Sequence, residues 1–108
     1  MVEILRQAAP GGWPVAVHAI GDLANREALD AFEETRAAWA PLGLRNRIEH
    51  AQLLAPEDLG RFADLGVIPA MQGVHCTSDA PYVMARLGPK RAEEGAYVWQ
   101  KLMKTGAV

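Results

Sequence analysis

The sequence predicts an α/β protein built on a parallel β-sheet, and three observations support this fold class. Three β-type runs occur at Pro14–His18, Arg45–His50 and Val67–Gln72. Each run is followed by a segment with helical spacing, and helices between successive strands give parallel strands. Half of the 108 residues are apolar and 22% are charged, which is typical of a folded globular chain.

The clearest helix lies between the first two β-type runs, at Leu23–Trp39, where mostly apolar residues recur at three-to-four spacing. Asp22 stands at its expected N-cap, and Pro41-Leu42-Gly43 ends it. A second helix is predicted at Pro56–Leu65, with Gly66 as its left-handed stop. The remaining predicted helices are Val2–Ala9, Pro81–Leu87 (closed by Gly88-Pro89) and Gly95–Lys104.

Three parallel strands make a thin sheet, and the β-α units have the lengths found in β/α repeats. A complete β/α barrel takes about 250 residues. We therefore expect residues 1–108 to form one segment of a larger barrel domain.

Composition excludes several classes of function. A formal net charge of −2, with scattered Lys and Arg residues, gives no electrostatic basis for binding nucleic acid or an anionic membrane. No apolar run approaches the roughly 18–20 residues of a membrane span, and the first residues do not have the pattern of a signal peptide. The single cysteine, Cys76, excludes an intrachain disulfide. We expect a cytoplasmic protein.

Two histidines close β-type runs: His18 ends the first and His50 ends the second. Binding groups gather at the carboxyl ends of parallel strands, because the following loops form a crevice there. Alternation along the strand puts Ile48 and His50 on one face, and Arg47 and Glu49 on the other as an ion pair behind the site. A neutral imidazole suits zinc or iron. From the residues alone, a metal ligand and a hydrogen-bonded core histidine are equally supported.

The third run leads into Gln72-Gly73-Val74-His75-Cys76-Thr77-Ser78-Asp79, which reads as a polar loop at the same end of the sheet and suited to holding a substrate. The alternative is that Ser78 or Asp79 caps the helix near Pro81. Cys76 beside His75 raises the further alternative of a thiol nucleophile, but no third residue is evident to orient the base. Asp22, besides capping its helix, could brace His18.

At these residues the sequence resembles a known family. The stretches VHAIGDLANREALDAFE, RNRIEHAQLLAPEDLGRFADLGVIPAMQ, HCTSD and RLGPKRAEEGAYVWQKLMKTGA are similar to the amidohydrolase superfamily. The similarity is to amidohydrolase family 3, of the exoenzyme or N-substituted formamide deformylase type, and to the C-terminal part of its barrel only. It runs from about Trp13 to Val108.

The resemblance implies a (β/α)8 barrel with a metal centre at the carboxyl ends of its strands. His18 then corresponds to the metal ligand of strand 5 and His50 to that of strand 6, with zinc as the expected metal and iron as the alternative. The loop after strand 7, with Gln72, His75 and Asp79, would line the substrate pocket. The chain would cover strands 5 to 7 with their helices and the start of strand 8.

Other parts of the family pattern are absent from this sequence. These are a His-x-His pair on strand 1, a lysine or carboxylate on strand 4, and the aspartate of strand 8 that acts as general base. We therefore expect a fragment of a metal-dependent amidohydrolase that cleaves a non-peptide C–N bond of the amide or formamide type in a small molecule. No catalytic residue is assigned within the chain, and we expect these 108 residues alone to be inactive.

The rival hypothesis is a non-catalytic α/β module. An open three-stranded sheet leaves two edges free and exposes the apolar face that a barrel would enclose, and both features favour self-association. Val15, Val17, Ile48 and Ile68 are the residues expected on that face.

Overall fold

The computed structural model describes residues 1–108 and contains one three-stranded parallel sheet with helices packed against it. The strands are β1 (Ala16–Ala19), β2 (Arg47–His50) and β3 (Ile68–Ala70), and they lie side by side in chain order. In register, Val17 is opposite Ile48 and Ile48 is opposite Pro69. The predicted α/β class and all three strands are confirmed, each strand being shorter than its β-type run.

The chain also contains six helices, in the predicted order along the sequence. Three short 3₁₀ turns accompany them, at Ala9–Gly11, Ala40–Leu42 and Pro56–Asp58. The helices are α1 (Val2–Ala8), α2 (Asp22–Glu34), α3 (Arg36–Trp39), α4 (Leu59–Leu65), α5 (Gly73–Gly95) and α6 (Trp99–Thr105).

The helix predicted at Leu23–Trp39 is divided into α2 and α3 at Thr35. The Thr35 hydroxyl donates to the carbonyl oxygen of Ala31 at 2.7 Å, a local bond that competes with helical geometry and bends the chain. The predicted left-handed stop at Gly66 is confirmed, with φ of 72°, and Gly43 is also left-handed, with φ of 65°.

The predicted polar loop over residues 72–79 is wrong, because α5 begins at Gly73 and continues to Gly95. Gly88 has a non-helical backbone, with φ of 75° and ψ of 167°, so the first helical part of α5 ends at the predicted Gly88-Pro89 stop. Pro89 follows directly, and a proline is well suited to the first turn of the helical part beyond the kink. The Gly-Pro pair therefore separates α5 into two helical parts.

The last helix begins at Trp99, later than predicted, because the backbone before it is engaged elsewhere. Ala96 forms an antiparallel bridge with Leu53, and Tyr97 takes a left-handed φ of 51°. The Tyr97 amide donates to the carbonyl oxygen of Gln52 at 3.0 Å. These contacts fasten the end of α5 to the segment that follows β2.

The hydrophobic core lies between one face of the sheet and the helices. Ile48 is completely buried in it, and Val15 and Val17 pack against it. The expectation of an open apolar face is therefore wrong for these three residues, because their side chains meet the helices. The fourth residue, Ile68, is half-buried and is in register with Arg47 on the other face of the sheet. The large side chains that fill the core are Leu5, Leu29, Phe32, Phe62 and Val67.

Helices α2 and α4 are also joined by an ion-pair network on their outer side. The carboxylate of Asp58 is 4% exposed and accepts hydrogen bonds from Arg26 at 2.9 Å and Arg61 at 3.1 Å. Arg61 also reaches Asp30 and Glu33 on α2, both at 2.7 Å. The buried carboxylate thus has charged partners, as a buried ion requires.

None of the helices combines the length and the apolar composition that a membrane span requires.

Gly95 marks the closest approach between α5 and the segment after β2. Its carbonyl oxygen accepts a hydrogen bond from the Leu54 amide at 2.9 Å. A Cβ atom at this position would lie 2.3 Å from the Leu54 carbonyl oxygen, so only glycine fits without a backbone shift.

We expect Gly95→Ala to destabilise the chain by about 1–3 kcal/mol, because the methyl group forces the two backbone segments apart. Gly60→Ala is the matched control, since nothing lies within 4 Å of a Cβ at that helical position. Replacing a helical glycine by alanine should stabilise by roughly 0.5–1 kcal/mol. Urea unfolding followed by circular dichroism measures both changes, and equal midpoints for the two variants would contradict the packing argument.

Candidate functional site

His18 and His50 meet at the carboxyl ends of β1 and β2. Their ring centroids are 4.5 Å apart, with the ring planes inclined by 73°. His18 is exposed and is in register with Glu49, whereas His50 is in register with Ala19. The sequence predicted that these two histidines lie close together at one end of the sheet, and the structure places them there.

The backbone at His50 explains how the two rings meet. Val17 and Ile48 face the core, so His18 lies on the opposite, open face of the sheet, with Glu49 beside it. Strict alternation would put His50 on the face of Ile48. His50 instead has a φ of 74° and Ala51 a φ of 44°, two successive left-handed residues. The predicted alternation therefore fails at His50, whose ring is turned towards His18.

The same register corrects the predicted position of Arg47 and Glu49. The two side chains form the expected ion pair, Arg47 Nε to Glu49 Oε1. Because Glu49 is in register with His18, the ion pair shares the open face with the histidine and does not lie behind it. Gln72 follows β3 and donates from Nε2 to the carbonyl oxygen of Ala70 at 2.8 Å, with Glu49 Oε2 at 3.5 Å.

All three histidines of the chain come together at this end of the sheet. His75 lies in the first turn of α5, and its ring centroid is 5.1 Å from that of His50. The sequence predicted His75 in a substrate loop after β3. The structure keeps it beside the strand ends but holds it on a helix.

The histidine cluster has one property that favours metal binding and lacks another. The Nδ1 atom of His50 is buried without a hydrogen-bond partner. Buried polar atoms normally have a partner, so this nitrogen is available to bind another group. No group of three or more His, Cys, Asp or Glu residues has the geometry to hold a metal ion. A closed metal site takes three or four protein ligands, so the residues of this chain alone do not complete one.

Behind His75 lies a set of polar contacts that the sequence did not predict. His75 Nδ1 is 3.3 Å from Asp79 Oδ2, and Ser78 Oγ donates to Asp79 Oδ1 at 2.8 Å. Gln52 donates from Nε2 to Asp79 Oδ2 at 3.2 Å and to Tyr97 Oη at 2.8 Å. The sequence indicates no role for Gln52 or Tyr97 in the site. Gln52 follows His50 by two residues, and that spacing was the available signal.

The surroundings of Asp79 and Tyr97 determine their protonation states. The hydrogen bond from Ser78, supported by Gln52 and His75, holds the pKa of the Asp79 carboxyl below its ordinary value. Burial raises the pKa of the Tyr97 phenol. At neutral pH Asp79 is therefore a carboxylate that only accepts hydrogen bonds, and Tyr97 keeps its proton.

Asp22 does not brace His18. Gly21 is the N-cap of α2 and Asp22 is its first helical residue, so the predicted N-cap is one residue late. The Asp22 carboxylate pairs with Arg91 at 2.6 Å and accepts from the Leu23 amide at 3.0 Å, and it makes no hydrogen bond with His18. The guanidinium of Arg91, brought close by α5 beyond its kink, provides the stronger partner.

Asn25 is a second residue that the sequence did not single out. It is completely buried, and its Nδ2 lies within hydrogen-bond distance of the carbonyl oxygens of Gly21 (2.8 Å), Leu53 (3.1 Å) and Ile20 (3.2 Å). These carbonyls belong to the segments that follow β1 and β2. Asn25 therefore ties together the two chain segments that carry His18 and His50.

The thiol alternative has no support in the geometry. Cys76 is half-buried, and it makes no hydrogen bond with His75, whose Nδ1 lies near Asp79 instead. A nucleophile and its base need to be within hydrogen-bond reach of one another.

Comparison with known proteins shows the family to which this chain belongs. The chain belongs to the amidohydrolase family, whose family model matches residues 1–108. It is 37% identical to the putative amidohydrolase YtcJ of Bacillus subtilis (strain 168), over 96% of this chain and 19% of that protein. It is 42% identical to the protein LONG AFTER FAR-RED 3 of Arabidopsis thaliana, over 94% of this chain and 17% of that protein.

Two solved structures are similar over 96% of this chain and 20% of theirs. They are uncharacterized metal-dependent hydrolases from Pyrococcus furiosus, with a TM-score of 0.80 and 39% identity, and from Pyrococcus horikoshii OT3, with a TM-score of 0.79 and 35% identity. The chain thus spans about a fifth of the length of the proteins that it matches.

Asn25→Ala should destabilise the chain by about 1–3 kcal/mol, because buried carbonyl oxygens lose their donor. Asn25→Asp should cost more at pH 7, since a buried carboxylate would face those same oxygens. Burial raises the pKa of such an aspartate, so the Asp variant should regain stability on acidification as its protonated form becomes a donor. Unfolding curves at pH 7 and pH 5 measure this, and a pH-independent gap between the two variants would contradict it.

The Asp22–Arg91 ion pair predicts a different dependence on pH. The hydrogen bond from Arg91 holds the pKa of the Asp22 carboxyl below 3.8, so its contribution is present above that pH and lost as pH falls through the lowered pKa. Both groups are partly exposed, so Asp22→Asn should cost less than about 1 kcal/mol at pH 7 and nothing in strong acid. Asp64→Asn is the control, because Asp64 is exposed and makes no ion pair, and thermal melts across pH should not change with it.

Proposed function

We propose that this chain is the part of a metal-dependent amidohydrolase that supplies two metal ligands, His18 and His50. The observation that carries the proposal is the contact between these rings at the ends of adjacent parallel strands, with the Nδ1 of His50 buried and unpartnered. Metal dependence of the two similar Pyrococcus hydrolases supports it. Zinc suits the imidazole pair, and iron is the alternative.

We further propose that β1, β2 and β3 are strands 5, 6 and 7 of a (β/α)8 barrel. Support comes from the parallel order of the strands and from the β-α units that connect them. The open face of the sheet, which carries His18, Arg47 and Glu49, is then the barrel interior. Polar residues there suit an enzyme whose site lies at the carboxyl ends of the strands.

The proposed reaction is hydrolysis of a non-peptide C–N bond, of the amide or formamide type, in a small molecule. When bound, the metal would supply a water of lowered pKa and polarise the scissile carbonyl. Within this chain, His18 and His50 would hold the metal, while Gln72, His75 and Asp79 would contact the substrate. The general base and the remaining ligands are assigned to other parts of the parent enzyme, whose expected compartment is the cytoplasm. These 108 residues alone should therefore not hydrolyse an amide.

A second candidate is a self-associating module without catalytic activity. It is favoured by one observation: β1 and β3 are both edge strands with unpaired outer sides. Light scattering of the purified chain tests it, because a monomer at high concentration would exclude association through these edges.

The metal assignment can be tested in a hybrid protein. Residues 1–108 would replace the matching fifth of the Pyrococcus furiosus hydrolase, which is 39% identical in this segment. We expect the hybrid to retain its metal, and His18→Ala or His50→Ala to reduce metal affinity by at least 10-fold, since each removes a ligand. Elemental analysis after dialysis measures the metal content.

Thr77→Val in the same hybrid is the control, because Thr77 lies on the exposed side of α5 and bonds only to the carbonyl oxygen of Val74. It should leave the metal content unchanged. Full metal content in both histidine variants, with the hybrid folded, would refute the assignment.

A further inference from the structure

Gln52 connects two distant parts of the chain at the back of the histidine cluster. It is 7% exposed, and its one side-chain nitrogen donates to Tyr97 Oη at 2.8 Å and to Asp79 Oδ2 at 3.2 Å. An amide NH2 has two protons, so these two acceptors use its full donor capacity. The backbone carbonyl oxygen of Gln52 accepts a further hydrogen bond from the backbone amide of Tyr97 at 3.0 Å.

Tyr97 is fixed in turn by its own backbone. Its φ of 51° is costly for a residue with a bulky side chain, and such a conformation persists only where surrounding contacts impose it. The two bonds to Gln52, one from the amide and one to the hydroxyl, are contacts of this kind. The strained tyrosine and the buried glutamine therefore form one rigid unit.

The unit acts on His75 through Asp79. His75 and Asp79 are four residues apart on α5, and their Nδ1 and Oδ2 atoms are 3.3 Å apart. Gln52 donates to that same Oδ2, while Ser78 donates to Oδ1, so the carboxylate has a defined orientation. A carboxylate beside Nδ1 favours the tautomer with its proton on Nδ1, and Nε2 then carries the lone pair.

We propose that Gln52 and Tyr97 are positioning residues that, through Asp79, fix the proton of His75 on Nδ1 and leave Nε2 as a hydrogen-bond acceptor. Resting on the proposed function, this defines a requirement on the substrate: the group bound by His75 must be a donor, such as an amide N–H. His75 differs in this respect from His50. The two rings are in contact, but the Nδ1 atom of His50 has no hydrogen-bond partner.

The tautomer can be read from the ¹⁵N shifts of the imidazole rings in the full 108-residue chain, without metal and in the presence of a chelator, at a pH where histidines are neutral. The chain has three histidines, so assignment is direct. We expect the Nδ1–H form at His75. Asp79→Asn should shift the tautomer ratio towards Nε2–H by about fivefold or more, because no negative charge then lies beside Nδ1. Gln52→Leu removes the donor that orients the Asp79 carboxylate and should shift the ratio in the same direction.

Tyr97→Phe removes a single oxygen and is the mildest variant, so it tests the proposal even where Gln52→Leu impairs folding. It should shift the ratio in the same direction by a smaller amount. Thr77→Val, on the same helix but outside the network, should leave the ratio unchanged. An Nε2–H form in the unmodified chain, or an unaltered ratio in all three network variants, would overturn the proposal.

The substrate requirement is tested with two probes in the same experiment. N-methylformamide carries an N–H donor and N,N-dimethylformamide does not. The first should perturb His75 Nε2 and the second should not, and equal perturbation by both would overturn the donor requirement. Because no metal is present, these results are independent of whether His18 and His50 bind one.

Discussion

The arrangement of the site depends on the left-handed turn at His50 and Ala51. Two non-glycine residues with positive φ in succession are costly, so the surrounding backbone must impose the conformation. It does so through hydrogen bonds from the Ala51 amide to Ala19 at 3.0 Å and from the Leu53 amide to Ile20 at 2.9 Å. Ala51 is completely buried, which leaves no room for a larger side chain. The ends of β1 and β2 are thereby locked together where the two histidines emerge.

On either side of this turn, polar side chains connect backbone segments that belong to separate β-α units. Asn25 on α2 reaches the segment after β2, and Gln52 in that segment reaches α5 and Tyr97. Gly95 then allows the end of α5 to approach the Leu54 backbone directly. These hydrogen bonds connect residues that the fold keeps in place, and they support the histidine cluster. Precise positioning of binding groups requires such support.

The strand pattern, the main helices and the glycine stops could be predicted from the sequence because each depends on local spacing or on a left-handed φ. The face of the sheet on which His50 lies could not, since the strained turn reverses the alternation that the prediction assumed. The sequence predicts a loop over residues 72–79 because Gly73 and the polar residues after it are typical of loops. The structure instead begins α5 at Gly73. Arg91 and Asp22 are 69 residues apart, so their pairing left no local signal.

The order of the three strands in space is also their order along the chain, and this has a consequence for how the molecule forms. Each strand pairs with the one that precedes it, so every new β-α unit docks on structure already made. Closing the loop of one β-α unit costs less entropy than pairing strands that lie further apart in the chain would cost. The sheet can therefore grow in one direction as the polypeptide emerges during synthesis, with the edge of β2 serving as the template for β3.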